Sequence, residues 1–167
     1  MRSAAREIAF FGISAGLMFA LQVVMGPLPN IEPVSLIIIV MSTVFGLKFL
    51  WSVFVFILLE GLLYGFGLWW FFYLYAWPLL NVLTVCLKNR IAGAPLGYAL
   101  LSGAYGLFFG LLYALIFLFT GGWNTFLTCW AAGLMFDIIH CAANFALALM
   151  LAKPLIGILE KFRSDRF

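Results

Sequence analysis

Three polar side chains with acid–base or hydrogen-bonding capacity lie inside an apolar stretch of this 167-residue sequence. They are Asp137, His140 and Asn144, in the segment FDIIHCAANF (136–145). On a helix their spacing of i, i+3 and i+7 points all three the same way. A carboxylate at the centre of a bilayer costs at least about 2.5–3.5 kcal/mol. Two roles can offset that cost: lining a binding cavity, or hydrogen bonding between helices, for instance Asp137 with His140.

Two further carboxylates and a group of aromatic rings accompany these residues. Glu32 follows the first apolar segment and Glu60 lies in the third. Ionisable groups inside a membrane usually mark a substrate path, which favours a polar binding cavity. The aromatic residues of LWWFFYLYAW (68–77) exceed the needs of an interfacial belt, so we expect some to line that cavity. The predicted substrate-binding residues are Asn30, Glu32, Glu60, Trp69, Tyr73, Trp77, Trp123, Asp137, His140 and Asn144.

The elements that position these groups follow from composition. The chain is 66% hydrophobic and 9% charged, too apolar for a water-soluble domain of this length. Its apolar runs are continuous rather than alternating, which predicts helices rather than a barrel. The sequence therefore predicts an all-α integral membrane protein, a single domain over 1–167 that forms a six-transmembrane-helix bundle. The expected helices are 8–26, 33–47, 49–66, 70–87, 96–119 and 125–152.

The distribution of the basic residues supports this topology. Six spans put both termini on one side, and all nine Lys and Arg residues then fall on that side. The positive-inside rule makes it cytoplasmic, so we expect cytoplasmic N- and C-termini. The second segment, 33–47, is marginal for the roughly 17–20 residues that a span needs. We expect it to be short, tilted or shielded by its neighbours.

Two stripes of small residues would allow helices to approach closely. The first stripe lies on helix one and comprises Ala9, Gly12, Gly16 and Ala20. The second lies on helix five and comprises Ala99, Gly103, Gly106 and Gly110. One stripe is expected for packing within so small a bundle, and a second permits an external helical partner.

Several function classes lack their motifs in this sequence. It contains no G-x-x-x-x-G-K-[ST] and no H-E-x-x-H. The three cysteines show no CxxC pairing, and no basic patch indicates nucleic acid. We predict a protein that is not an enzyme, with no metal site and no cofactor of its own. An intramembrane enzyme is disfavoured for the same reasons.

Over nearly its whole length the chain resembles the substrate-binding S-components of energy-coupling factor (ECF) transporters, ABC-type importers of vitamins. The resemblance rests on three blocks and on the small-residue face of helix one. The blocks are PNIEPVSLIIIV (29–40), FGLKFLWSVFVFILLEGLLYGFGLWW (45–70) and GGWNTFLTCWAAGLMFDIIHCAANFALALMLAKPL (121–155). It implies six helices in the plasma membrane of a prokaryotic cell, and an outward-facing site formed mainly by the first loop and helices four to six.

The resemblance also implies the partners of this chain. An S-component docks through helix one onto a membrane T-component, and two ATPases supply the energy from ATP. The family's helix-one pattern is Ala-x-x-x-Ala, and the matching face here reads Gly12-x-x-x-Gly16-x-x-x-Ala20. Because glycine keeps the surface flat, docking is expected on Ala9, Gly12, Gly16 and Ala20. The polar residues of 136–145 would line or brace the floor of the vitamin pocket.

The substrate is constrained by charge. The expected outward side offers acids, amides and aromatic rings but no Lys or Arg, which suits a neutral or cationic ligand with a flat apolar body. Cobalamin, which is rimmed with amides, fits, and the chain looks similar to S-components assigned to it. Thiamine, riboflavin or a pyrimidine precursor remain open. Pantothenate would need its carboxylate balanced by backbone N–H groups or a helix N-terminus.

A different class of function also accounts for the polar residues. A stand-alone proton-coupled carrier would use Glu60 and Asp137 as its proton-binding groups, and a membrane assembly subunit would use them in packing. Co-expression distinguishes these alternatives, because an S-component should be captured by a tagged T-component and two ATPases.

Overall fold

The computed structural model describes residues 2–166, with side chains from Ala5 onward. The helices are α1 (Arg2–Met25), α2 (Val34–Phe45), α3 (Leu50–Tyr64), α4 (Leu68–Ile91) and α5 (Pro95–Arg166). A 3₁₀ turn over Gly46–Phe49 joins α2 to α3. No β-strand occurs among the described residues, which confirms the all-α prediction.

Four helical stretches are long and apolar enough to cross a membrane, rather than the six predicted. The four are Ala5–Met25, Val34–Tyr64, Leu68–Ile91 and Pro95–Arg166. The number differs because α2 and α3, with 12 and 15 residues, are each shorter than the roughly 17–20 residues of a span. The last two predicted helices likewise form one helical stretch. These apolar helices support association with a membrane.

The 72-residue helix α5 folds back on itself at Gly122. There the backbone has φ 75° and ψ −174°, a conformation open to glycine because it has no Cβ. Residues on either side of this turn meet again, since the Gly110 N–H donates to Asp137 Oδ1 at 2.8 Å. A Cβ at Gly106 would lie 2.9 Å from the backbone of His140. Helix α5 is therefore a hairpin, with a first arm over 95–121 and a second arm over 123–166.

The second small-residue stripe holds the two arms of α5 together. Ala99, Gly103 and Gly106 are buried. An added Cβ at Gly103 would lie 3.1 Å from Cβ of Phe145 on the second arm. The missing side chains thus allow the arms to approach closely. This stripe serves packing within the bundle.

Helix α2 forms the centre of the bundle. Nine of its 12 residues are buried, so the helix is both short and shielded by its neighbours. It packs against α4 and α5, while α1 packs against α3. Side-chain hydrogen bonds join these layers. Asn81 Nδ2 donates to Ser42 Oγ at 2.6 Å, and Ser52 Oγ donates to the Phe11 carbonyl at 2.9 Å.

One end of the bundle, which we call the basic end, gathers the start of α1, the α2–α3 turn and the end of α5. Lys48 Nζ lies 2.7 Å from Glu7 Oε1. The Arg163 guanidinium donates to the Val44 carbonyl. Basic residues that are far apart in the sequence therefore meet at the same end of the fold.

Candidate ligand-binding site

Two adjoining cavities lie where the end of α1 and the loop after it meet α3, α4 and α5. The loop cavity, about 140 Å³, is lined by Gln22, Met25, Gly26, Leu28, Pro29, Asn30, Ile31, Glu32, Tyr73, Trp77, Phe109 and His140. The aromatic cavity, about 570 Å³, is lined by Gln22, Val23, Gly26, Pro27, Glu60, Tyr64, Trp69 and Tyr73. Gln22, Gly26 and Tyr73 belong to both linings. We call the two cavities together the cleft.

Seven of the ten predicted site residues line the cleft. They are Asn30, Glu32, Glu60, Trp69, Tyr73, Trp77 and His140. Sequence positions that span more than 100 residues are thus brought to one place by the fold. The binding role of these residues stays a prediction, and the structure shows that they line one cleft.

The other three predicted residues lie outside the cleft. Trp123 is exposed at the tip of the α5 hairpin, where its ring lies 5.2 Å from that of Phe126. Asp137 accepts the Gly110 N–H from the opposite arm, so its carboxylate braces the hairpin. Asn144 is buried, 1% exposed, and lines neither cavity. The shared helix face is real, but seven residues span about 10 Å of helix, and of the three only His140 lines the cleft.

Glu32 is fully paired within the protein. Its Oε2 accepts the Ser35 N–H at 2.9 Å, and its Oε1 accepts the Ser35 hydroxyl. These bonds satisfy donors in the first turn of α2, where a negative charge is favourable. His140 Nε2 donates to the same Oε1 at 3.1 Å. Glu32 therefore ties the first loop to the second arm of α5, and this pair replaces the alternative of Asp137 with His140.

Glu60 has a different environment from Glu32. It is 2% exposed, and its Oε1 has no hydrogen-bond partner among the described residues. The Oε1 of Gln22, across the aromatic cavity on α1, likewise has none in the described part of the chain. Because buried polar atoms are nearly always paired, two such oxygens beside one cavity indicate a place for a ligand donor.

The turn between α3 and α4 is shaped by a glycine that admits two rings. A Cβ at Gly61 would overlap the rings of Phe66 and Trp70. With glycine there, Trp70 reaches back to α3 and its Nε1 donates to the Ile57 carbonyl at 2.9 Å. This anchored indole fixes the start of α4 against the end of α3, and so places Trp69 beside the aromatic cavity.

Aromatic rings form one continuous wall along the cleft. The Trp69 ring centroid lies 6.5 Å from that of Tyr64 and 5.2 Å from that of Tyr73. The wall continues from Tyr73 to Trp77 at 5.5 Å and from Trp77 to Phe109 at 5.2 Å. These distances lie in the range of favourable aromatic pairs. The wall therefore presents aromatic rings to both cavities.

Ten lining residues are absent from the predicted set, and three of them, Gln22, Tyr64 and Phe109, carry an amide or an aromatic ring. Gln22 is the one amide in the apolar run of helix one, a signal that was present in the sequence. Tyr64 belongs to the aromatic cluster of helices three and four, which the sequence also shows. Phe109 lies in a run of apolar residues and carries no signal of its own.

No family model, curated protein or solved structure matches this chain. Among residues 2–166, no group of three His, Cys, Asp or Glu side chains is placed to hold a metal ion. The cleft and the surface of the bundle are therefore the features that bear on function.

Replacing Glu32 with alanine is expected to destabilise the fold. The substitution removes the acceptor for the Ser35 and His140 donors, at a cost of about 1–3 kcal/mol for buried partners left unsatisfied. Thermal unfolding of the detergent-purified chain should show a lower melting temperature. Glu7→Ala is the control, because among the described side chains Glu7 pairs only with the exposed Lys48, and such pairs contribute little. Equal melting temperatures for the two variants would contradict the role of Glu32.

Proposed function

We propose that this chain is the substrate-capture subunit, or S-component, of an ECF-type importer. It binds a vitamin from outside the cell and delivers it on docking to a T-component that two ATPases drive. The observation that carries the proposal is one bundle with a polar and aromatic cleft and a flat, open face on α1. The cleft would take the ligand, and the α1 face would take the T-component.

The size and chemistry of the cleft support capture of a small molecule. Small-molecule sites usually measure about 300–1,000 Å³ and combine apolar walls with a few polar groups. The aromatic cavity, about 570 Å³, has this size and combines ring walls with Glu60 and Gln22. The first loop covers the adjoining cavity and is held to α5 by the pairing of Glu32 with His140.

The first small-residue stripe supports docking of a helical partner. Ala9, Gly12 and Ala20 are exposed, and Gly16 is half-buried. An added Cβ at Gly12 or Gly16 would meet nothing within 4 Å. Flat faces of this kind let another helix approach closely in a membrane. Since the second stripe is used inside the α5 hairpin, the α1 stripe is the one left for a partner.

An apolar groove runs beside this face. It measures about 450 Å³ and lies between α1 and α3. Its lining is Ile8, Phe11, Gly12, Trp51, Ser52 and Val55. The side chain of Trp51 is large and 73% exposed. The groove would receive protruding side chains of the T-component helix that lies along the stripe.

The charge distribution supports an orientation in the membrane. The basic end would be cytoplasmic by the positive-inside rule, which puts both termini inside. The six helical segments of the bundle, with α5 counted as two arms, would then carry the cleft on the outer side. The chain would be a multi-pass protein of a prokaryotic plasma membrane.

Cobalamin is the substrate that the resemblance favours first, and the cavity volumes favour smaller ligands. The two cavities, of about 140 and 570 Å³, suit a molecule with a single flat ring system, such as thiamine, riboflavin or a pyrimidine precursor. The corrin ring of cobalamin is larger than these ring systems and would require the first loop to open. Pantothenate would bring a carboxylate to a cleft that already contains two.

A stand-alone proton-coupled carrier is the second candidate, because Glu60 is a buried carboxylate with an unpartnered oxygen. Co-expression with a tagged T-component and its two ATPases separates the two functions. We expect the full chain to be captured by the tag, and a vitamin to be released from the purified chain and identified by mass spectrometry. Failure of capture, together with uptake by the chain alone in proteoliposomes, would favour the carrier.

Cysteine labelling tests the orientation. In a background lacking the native cysteines, Asn30→Cys and Asn124→Cys should react with a membrane-impermeant maleimide added to intact cells. Arg90→Cys and Ser164→Cys should react only after the cells are permeabilised. Reaction of Arg90→Cys in intact cells would contradict a cytoplasmic basic end.

A further inference from the structure

The two carboxylates of the cleft differ in their hydrogen-bond partners. Glu32 already accepts three donors from Ser35 and His140, so its charge is used within the protein. Glu60 is equally buried, but its Oε1 has no partner among the described residues. A buried carboxylate without a partner is unfavourable unless a donor or a positive charge approaches it. The free acid of the cleft is therefore Glu60.

The lining around Glu60 contributes no positively charged side chain. No Lys, Arg or His lies along the described lining of the aromatic cavity. The other unpartnered atom of that lining, Gln22 Oε1, is also an acceptor. A ligand that pairs with both oxygens must carry hydrogen-bond donors or a cationic centre. An anionic ligand would instead meet an uncompensated like charge.

Aromatic rings complete the environment that a cation requires. Tyr64, Trp69 and Tyr73 line the same cavity as Glu60, and Trp69 lies edge-on to both tyrosines. Ring faces attract cations, and this attraction is stronger where water is excluded. Aromatic cages of this type recognise quaternary and methylated ammonium groups.

From these observations we infer that the cleft selects an organic cation. Its positively charged nitrogen would sit between Glu60 and the rings of Tyr64, Trp69 and Tyr73. The flat remainder of the ligand would extend along the aromatic wall towards Trp77. This inference rests on the proposed function, because it names the class of substrate that the S-component takes.

Three probes of one size and different charge test the selectivity. They are 1-methylnicotinamide, a cation, nicotinamide, which is neutral, and nicotinate, an anion. In calorimetric titrations of the full chain in detergent, the cation should bind at least about tenfold more tightly than the neutral probe, in line with a desolvated cation–aromatic contact and a counter-charge. Nicotinate should bind most weakly. Equal affinity for cation and neutral probe, or no saturable binding of the cation, would overturn the inference.

Variants identify the group responsible. Glu60→Gln keeps the size of the side chain, and it should abolish the preference for the cation, whereas Glu60→Asp should retain part of it. Glu160→Gln removes the same charge from an exposed site on the second arm of α5 and should leave the preference unchanged. Retention of the full preference in Glu60→Gln would contradict the assignment.

Tyr64 gives an independent test, because it is 54% exposed and tolerates substitution better than a core residue. Tyr64→Leu should lower the affinity for the cation several-fold, and Tyr64→Phe, which keeps the ring, should not. Unchanged cation binding in Tyr64→Leu would exclude the cage.

Capture by the T-component, measured on the same preparations, separates this inference from the proposed function. A chain that is captured but does not prefer the cation disproves only the selectivity. A chain that prefers the cation but is not captured leaves the cation site in place and disproves the S-component.

Discussion

Gly16→Leu is expected to abolish capture of the chain by a T-component, while its melting temperature and its ligand affinity stay close to those of the wild type. No atom lies within 4 Å of a Cβ placed at Gly16, so the bundle accommodates the new side chain. A leucine there would project from the flat α1 face and prevent the close approach of a partner helix. The measurement is the amount of chain retained by the tagged T-component with its ATPases.

Gly133→Leu is the matched control for this result. It introduces the same side chain at another helical glycine with nothing within 4 Å, on the second arm of α5 rather than on α1. Its capture should equal that of the wild type. Normal capture of Gly16→Leu, or equal loss in both variants, would contradict docking on the small-residue stripe of α1.

Gly106→Ala is expected to lower the melting temperature, whereas Gly12→Ala should leave it unchanged or raise it. A Cβ at Gly106 would lie 2.9 Å from the His140 carbonyl group, a backbone contact that a rotamer change cannot relieve. Overpacking of this kind costs about 1–3 kcal/mol. At Gly12 the space is open, so only the gain in helix propensity remains, about 1 kcal/mol for Gly to Ala.

The same substitution should also affect the cleft. Forcing the arms of α5 apart at Gly106 would strain the neighbouring bond from Gly110 to Asp137 and shift His140 relative to Glu32. Ligand affinity should therefore fall together with stability in Gly106→Ala, and neither should fall in Gly12→Ala. Thermal unfolding and calorimetric titration of both variants measure this. A Gly106→Ala chain as stable as the wild type would contradict close contact between the arms.

The local sequence pattern did not predict that Asp137 lies outside the cleft. Its spacing with His140 and Asn144 placed all three on one helix face, and this holds in α5. Which member of that face reaches the cleft depends on depth, and depth is set by how the two arms and the first loop pack. The fold brings His140 to Glu32 and leaves Asp137 against Gly110.

The sequence by itself determined the helical class and indicated association with a membrane, because continuous apolar runs act locally. It did not determine the number of stretches that could cross a membrane, since six were predicted and the structure has four. It also indicated seven of the 17 residues that line the cleft, since polar and aromatic groups are conspicuous in an apolar chain. Only the tertiary structure decided that Glu32 is paired and that Glu60 Oε1 has no partner among the described residues, because pairing depends on Ser35 and His140 arriving at the same carboxylate. It likewise decided that one small-residue stripe is buried and the other open, since both follow helical steps of three and four residues and the difference lies in the helix packed against them.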